Sequence, residues 1–224
     1  MSGPGPALAI LVKDVRLELR RVESLATMAV FAGLVILIFA FVGDPTPAEL
    51  ARIGPGALWA SILFAGVLGF ERWFAEEERN AALQGLLLAP VDREVLFLGK
   101  WAGATVFLLA LEAILVPVAA TLYRLDLGGA WGAFSILLVV VTIGYAALGT
   151  FFAAVAARTT ASQLLLPVLL FPLSVPLLLA GIEGGQALAA GAGGDYRDWL
   201  GLALAFDVLF GTICTMAFGT VIEE

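Results

Sequence analysis

The sequence predicts an all-α integral membrane protein, a single bundle of six transmembrane helices over residues 1–224, and three observations carry that prediction. Apolar residues make up 61% of the chain and the mean hydropathy is +1.02, where soluble domains run at about 45–50% apolar. The apolar residues are gathered into six continuous runs, each close to the ~20 residues that a helix needs to cross a bilayer. The runs are unbroken and do not alternate, so they are helices and not barrel strands, since only hydrogen bonding within the segment satisfies a lipid-embedded backbone of that pattern.

In chain order, residues 1–22 come first. Leu8, Leu11, Val12, Val15, Leu19 and Val22 recur at helical spacing, while Lys13, Asp14, Arg16, Arg20 and Arg21 fall on the other side, with Leu17 out of pattern. This predicts an interfacial amphipathic helix whose basic face meets anionic headgroups. The competing reading is a cytoplasmic extension of the first span. Met1–Pro6 lacks the features of a signal peptide, so the first span is expected to act as the insertion signal.

The spans are expected at Leu25–Val42, Ile53–Phe70, Trp101–Leu122, Trp131–Ala157, Ala161–Ile182 and Trp199–Ile222. Trp101, Trp131 and Trp199 each open a run, as aromatic residues at headgroup level do. The glycine-rich stretch Glu183–Asp198 is expected to be a flexible surface turn. Orientation follows from the lysines and arginines. Placing the amino terminus inside puts nine of the twelve (Lys13, Arg16, Arg20, Arg21, Arg72, Arg79, Arg93, Lys100, Arg158) on the cytoplasmic side and leaves Arg52, Arg124 and Arg197 outside, so both termini are expected to be cytoplasmic.

Composition also excludes functions. A net charge of −7 and a pI near 4.6 argue against nucleic acid as a partner. With no histidine and a single cysteine, Cys214, there is no metal-ligand cluster, no redox pair and no nucleophile–base pair at usable spacing, so no catalytic residue is assigned. No phosphate-binding GxxxxGK[ST] loop occurs; Gly99-Lys100-Trp101 has the glycine and lysine without the rest.

The longest polar stretch, Glu71–Lys100, joins spans two and three. Glu71, Arg72, Glu76, Glu77, Glu78 and Arg79 lead into an apolar segment with Leu83, Gln84 and Leu87 that Pro90 stops. This is a short cytoplasmic helix anchored to two spans, which a partner could push on as a lever. A connector without a partner is the alternative.

Leu50-Ala51-Arg52-Ile53-Gly54-Pro55-Gly56 through Trp59, then Glu71-Arg72-Trp73-Phe74, Leu83-Gln84-Gly85-Leu86-Leu87-Leu88-Ala89-Pro90, Gly99-Lys100 and Pro172-Leu173-Ser174-Val175-Pro176-Leu177-Leu178-Leu179-Ala180 resemble the CcmB family, the haem exporter protein B subunits of the cytochrome c maturation transporter. Part of the loop pattern is shared with the wider ABC-2-type permeases. The chain departs from the family at Asn80-Ala81-Ala82-Leu83-Gln84, where the pattern reads Asp-Gly-Ser-Leu-Glu. The resemblance implies an ABC-2-type permease of the bacterial inner membrane whose loop over Glu71–Pro90 is a coupling helix for a separate CcmA-type ATPase. ATP and magnesium would bind that partner. CcmC- and CcmD-type membrane proteins, the haem chaperone CcmE and a second copy of the chain are the further implied associates, and haem would be handled by the complex. No cofactor is expected on this chain alone: haem-iron ligation would fall to Met28, Met216, Cys214 or a tyrosine, each read first as packing.

Two acids lie within the spans, Glu112 near the middle of the third and Asp207 a third of the way into the sixth. An acid at the bilayer centre costs ~2.5–3.5 kcal/mol, so each should face the bundle interior, be protonated or pair with a polar group. One reading is a transport or subunit-coupling site. The other is a protonated acid bonded to Thr105, Thr142 or Thr215. Without the loop resemblance, the pair would support a proton-coupled secondary carrier, and a scaffold without transport is a third class. Pro167, Pro172 and Pro176 should bend span five, as a binding cavity or as ordinary membrane-helix prolines.

Overall fold

The structure, a computed structural model, describes residues 22–42, 44–79, 92–157 and 162–223. The interfacial helix expected over 1–22 falls outside them, Val22 apart. The described residues form six α-helices: α1 (Val22–Phe41), α2 (Pro47–Arg79), α3 (Arg93–Leu122), α4 (Trp131–Ala157), α5 (Ser162–Ala189) and α6 (Gly193–Glu223). All six are long and apolar enough to cross a membrane, so the six-span all-α reading holds.

The helices outrun the apolar windows that announce them. α2 starts at Pro47 because Thr46 and Glu49 form a capping box: the Thr46 amide and hydroxyl donate to Glu49 Oε2 (2.7 and 2.8 Å), and the Glu49 amide donates back to Thr46 Oγ1 (3.4 Å). Proline at the first helical position completes the start. α3 begins at Arg93, so Lys100 lies within the helix with its side chain buried (1% exposed), not ahead of the span. The expected turn over Glu183–Asp198 is a correction. α5 continues to Ala189 and α6 begins at Gly193, leaving a three-residue turn in which Gly191 takes φ +70° and Ala192 N–H donates to the Ala187 carbonyl (2.8 Å). Gly184 and Gly185 are helical, pressed against Leu137 and Phe134 of α4.

α2 and α4 are the central pair. Inside the chain 67% and 61% of their spans are buried, against 22–33% for the other four. α2 touches α1, α3, α4 and α5; α4 touches α2, α3, α5 and α6. Lipid cannot drive helices together by the hydrophobic effect, so association depends on close packing and interhelical hydrogen bonds. The packing uses glycines as seats for large side chains: Phe70 of α2 sits over Gly149 of α4, Tyr145 of α4 over Gly66 of α2, and Trp59 of α2 over Gly181 of α5. The hydrogen bonds come from all three tyrosines, each donating to a carbonyl of another helix: Tyr123 to Ile36 (2.7 Å), Tyr145 to Leu63 (2.6 Å) and Tyr196 to Ala133 (2.9 Å). Trp101 joins this set, donating from Nε1 to the Ile143 carbonyl (2.8 Å) and lying against Gly211. It is therefore a three-helix fastener eight residues inside α3, whereas Trp131 opens α4 and is 40% exposed.

Candidate functional site

Four helices meet around a small cavity of about 10 Å³, room for one water. Trp59, Ile62 and Leu63 of α2, Glu112 of α3, Val141, Thr142 and Tyr145 of α4, and Ser174, Leu177 and Leu178 of α5 line it. Helical spacing explains the convergence: 59, 62 and 63 share one face of α2, 141, 142 and 145 one face of α4, and 174, 177 and 178 one face of α5.

Glu112 is 1% exposed and Thr142 1%. Thr142 Oγ1 hydrogen-bonds both Glu112 Oε1 and the Leu138 carbonyl, each at 2.7 Å. Of the three threonines considered for a buried acid, Thr142 is the one that meets it; Thr105 and Thr215 instead donate within their own helices, to Trp101 and Gly211. Among the described residues four buried side-chain polar atoms lack a partner: Trp59 Nε1, Glu112 Oε2, Thr150 Oγ1 and Asp207 Oδ1. The first two belong to residues lining this cavity.

Asp207 is elsewhere. Its Oδ1 lies against Gly144 of α4, and Leu177 of α5 packs on the same glycine. Thr142 and Gly144 are two residues apart, about 200° around a helix, so the two acids approach α4 from different sides. Leu177 is common to both places, a wall of the Glu112 cavity and a neighbour of the Asp207 seat.

Pro167, Pro172 and Pro176 all lie in α5, which remains one α-helix from Ser162 to Ala189; Pro172 is exposed, and none of the three lines the cavity. Ser174, between the last two, is buried and donates to the Leu170 carbonyl (2.7 Å). Met28 is buried against Gly69, Cys214 is buried, and Met216 is 70% exposed.

Of the loop residues, Glu71 is half-buried and Arg72 exposed on α2. Glu76, Glu77, Glu78 and Arg79 belong to the last turns of α2, their side chains not among those described. Leu83, Gln84, Leu87 and Pro90 fall outside the described residues. Sequence reasoning missed Trp59 and Tyr145 as site residues. For Tyr145 the usable signal was that a buried phenol needs a partner for its hydroxyl, here the Leu63 carbonyl; Trp59 meets α5 by packing on Gly181, with its Nε1 unpartnered, and the sequence carried no comparable signal for it.

The sequence profile of the family described as CcmB protein matches residues 6–224. "Heme exporter protein B" of Paracoccus denitrificans is 34% identical over 188 residues, covering 82% of this chain and 84% of its own. The protein of the same name from Rhodobacter capsulatus is 33% identical over 192 residues, with 81% and 84% covered. That from Bradyrhizobium diazoefficiens is 26% identical over 218 residues, with 96% and 91% covered.

Proposed function

Because the chain belongs to the CcmB family, we propose that it is the permease subunit of a haem-exporter type ABC complex for cytochrome c maturation. It carries no phosphate-binding loop, and ATP with magnesium binds a separate CcmA-type subunit. Hydrolysis there drives haem handling and the release of haem-loaded CcmE, beside CcmC- and CcmD-type proteins. The setting is the bacterial inner membrane, with both termini cytoplasmic by the charge distribution.

The observation that carries the reading is the build of α2. It is a continuous helix of 33 residues that runs past the apolar span into Glu76–Arg79 and is the most enclosed element of the bundle. A push at its polar end, where α3 also starts at Arg93, is delivered to the four helices that α2 touches. Packed helices respond to such a push by moving between two arrangements, not by bending continuously.

The test is purification of the chain in mild detergent from its native membrane. An ATP-binding subunit should co-purify, and reversing the charges at Glu76, Glu77, Glu78 and Arg79 should release it. A stable preparation without any ATPase would remove the reading. Glu112→Gln and Asp207→Asn separate it from a proton-coupled carrier: the ATP-driven complex keeps working, whereas a carrier stops. The arrangement favours the former, since Glu112 lines the cavity and Asp207 does not.

A further inference from the structure

The hydroxyl of Thr142 has a single hydrogen and sits 2.7 Å from two acceptors, Glu112 Oε1 and the Leu138 carbonyl. Two oxygens at that distance repel unless a hydrogen lies between them. If Glu112 were a carboxylate, only Thr142 could supply one, and one of the two contacts would have none. If Glu112 is the neutral acid, its own O–H fills the first contact and Thr142 fills the second.

The rest of the bundle shows where such a hydroxyl spends its hydrogen. Ser61, Thr105, Thr121, Ser135, Ser174, Thr212 and Thr215 each donate to the carbonyl four residues earlier. Thr142 makes the same bond to Leu138, so the shared hydrogen toward Glu112 comes from the carboxyl.

We propose that Glu112 is a proton-binding site in which the neutral carboxyl donates from Oε1 to Thr142 Oγ1 and Thr142 donates onward to the Leu138 carbonyl. The surroundings agree. The cavity-lining residues include no Asp, Glu, Lys or Arg other than Glu112 of α3 itself, and the Tyr145 hydroxyl is committed to Leu63. α1 has no titratable residue between Ser24 and Phe41, and those of α2 lie toward its two ends, Glu49 and Arg52 at one, Glu71 and Arg72 at the other. On α6, Asp207 sits on its own seat at Gly144. In the neutral acid the remaining Oε2 is an uncharged carbonyl oxygen, far cheaper to leave unpartnered than half of a carboxylate.

The bound proton thus pins α3 to α4. Its departure would turn the Thr142 hydrogen from Leu138 to Glu112 and leave a charged Oε2 in need of a donor; Trp59 Nε1 is the unpartnered donor among the lining residues. The inference stands on the bundle alone and not on the transporter assignment, so it can fail or survive independently of the co-purification test.

Isotope-edited infrared spectroscopy on the full chain in lipid nanodiscs at neutral pH tests it. The band lost from wild type in Glu112→Gln should be a protonated carboxylic C=O stretch that shifts in D2O, although an ordinary glutamate is ionised there. Thr142→Val should move that band to higher frequency by removing its acceptor. If Glu112→Gln does not fold, the ¹³C-glutamate spectrum of Thr142→Val against wild type gives the same answer. A lost band of carboxylate type, or a carboxylic band indifferent to Thr142→Val, overturns the proposal.

Discussion

Gly149→Ala is the perturbation that most directly tests how α2 and α4 are held together. A Cβ at position 149 would meet Cδ2 of Phe70 at 2.5 Å, with Cε2 and Cζ closer still. Carbon atoms settle at about 3.5–4.0 Å, so the ring must withdraw by about 1 Å or more. Phe70 cannot do so freely, because it is 2% exposed and packs edge-on against Tyr145 at 5.5 Å between centroids. Overpacking of this kind costs ~1–3 kcal/mol. Against that stands the better helix propensity of alanine, about 1 kcal/mol in an exposed helix interior. The net effect should be a loss of up to about 2 kcal/mol. In a Phe70→Leu background the obstructing ring is gone, only the propensity gain remains, and Gly149→Ala should become neutral or stabilising. Reversible unfolding in mixed micelles, followed by tryptophan fluorescence, reads all four corners of the cycle. Equal destabilisation in both backgrounds, within the ~0.5 kcal/mol expected of independent sites, would show that the glycine is not a seat for Phe70.

Two further outcomes follow from the same geometry. Trp101→Phe removes the indole donor to Ile143 while keeping an aromatic ring, and the loss should be about 0.5–1.5 kcal/mol in the same unfolding assay; an unchanged stability would show that the indole N–H does not fasten α3 to α4. Single cysteines placed at Asp44, Asp126 and Ala192 should be modified in intact cells by a membrane-impermeant reagent, and one at Asp92 only after lysis; the reverse pattern would overturn the orientation and with it a cytoplasmic handle at α2.

The six spans were legible because lipid imposes one simple requirement, a run of apolar residues long enough to cross it. Where they end was less legible, since beyond the bilayer local chemistry takes over. The start of α2 is written in Thr46-Pro47-Ala48-Glu49, a capping signature that hydropathy does not detect. The stretch from Glu183 misled for a different reason. Glycine reads as a breaker in water, but in a membrane bundle it is a place for a neighbour, and Gly184 and Gly185 are where Leu137 and Phe134 of α4 come in. The partner of Trp101 was not legible either: its place at the head of an apolar run gave no sign that its N–H would reach the Ile143 carbonyl of α4. The cost of a buried acid put Glu112 in the interior and Thr142 among its three candidate partners. Which threonine it met depended on the relative rotation of α3 and α4, which no periodicity within one helix contains.

That rotation bears on how a push could reach the cavity. α2 supplies Trp59, Ile62 and Leu63 to one wall, and α5 supplies Ser174, Leu177 and Leu178 to another, so any tilt of α2 alters the distance between walls that now leave room for one water. Trp59 is wedged against Gly181, so α5 must follow α2 or yield at that contact. α5 carries three prolines, each lacking the N–H that would tie it to the preceding turn, so its backbone ladder has three gaps at which it can yield. Leu177, one residue beyond the last proline, separates the Glu112 cavity from the Gly144 seat of Asp207. A shift of α5 there would change the surroundings of both acids at once.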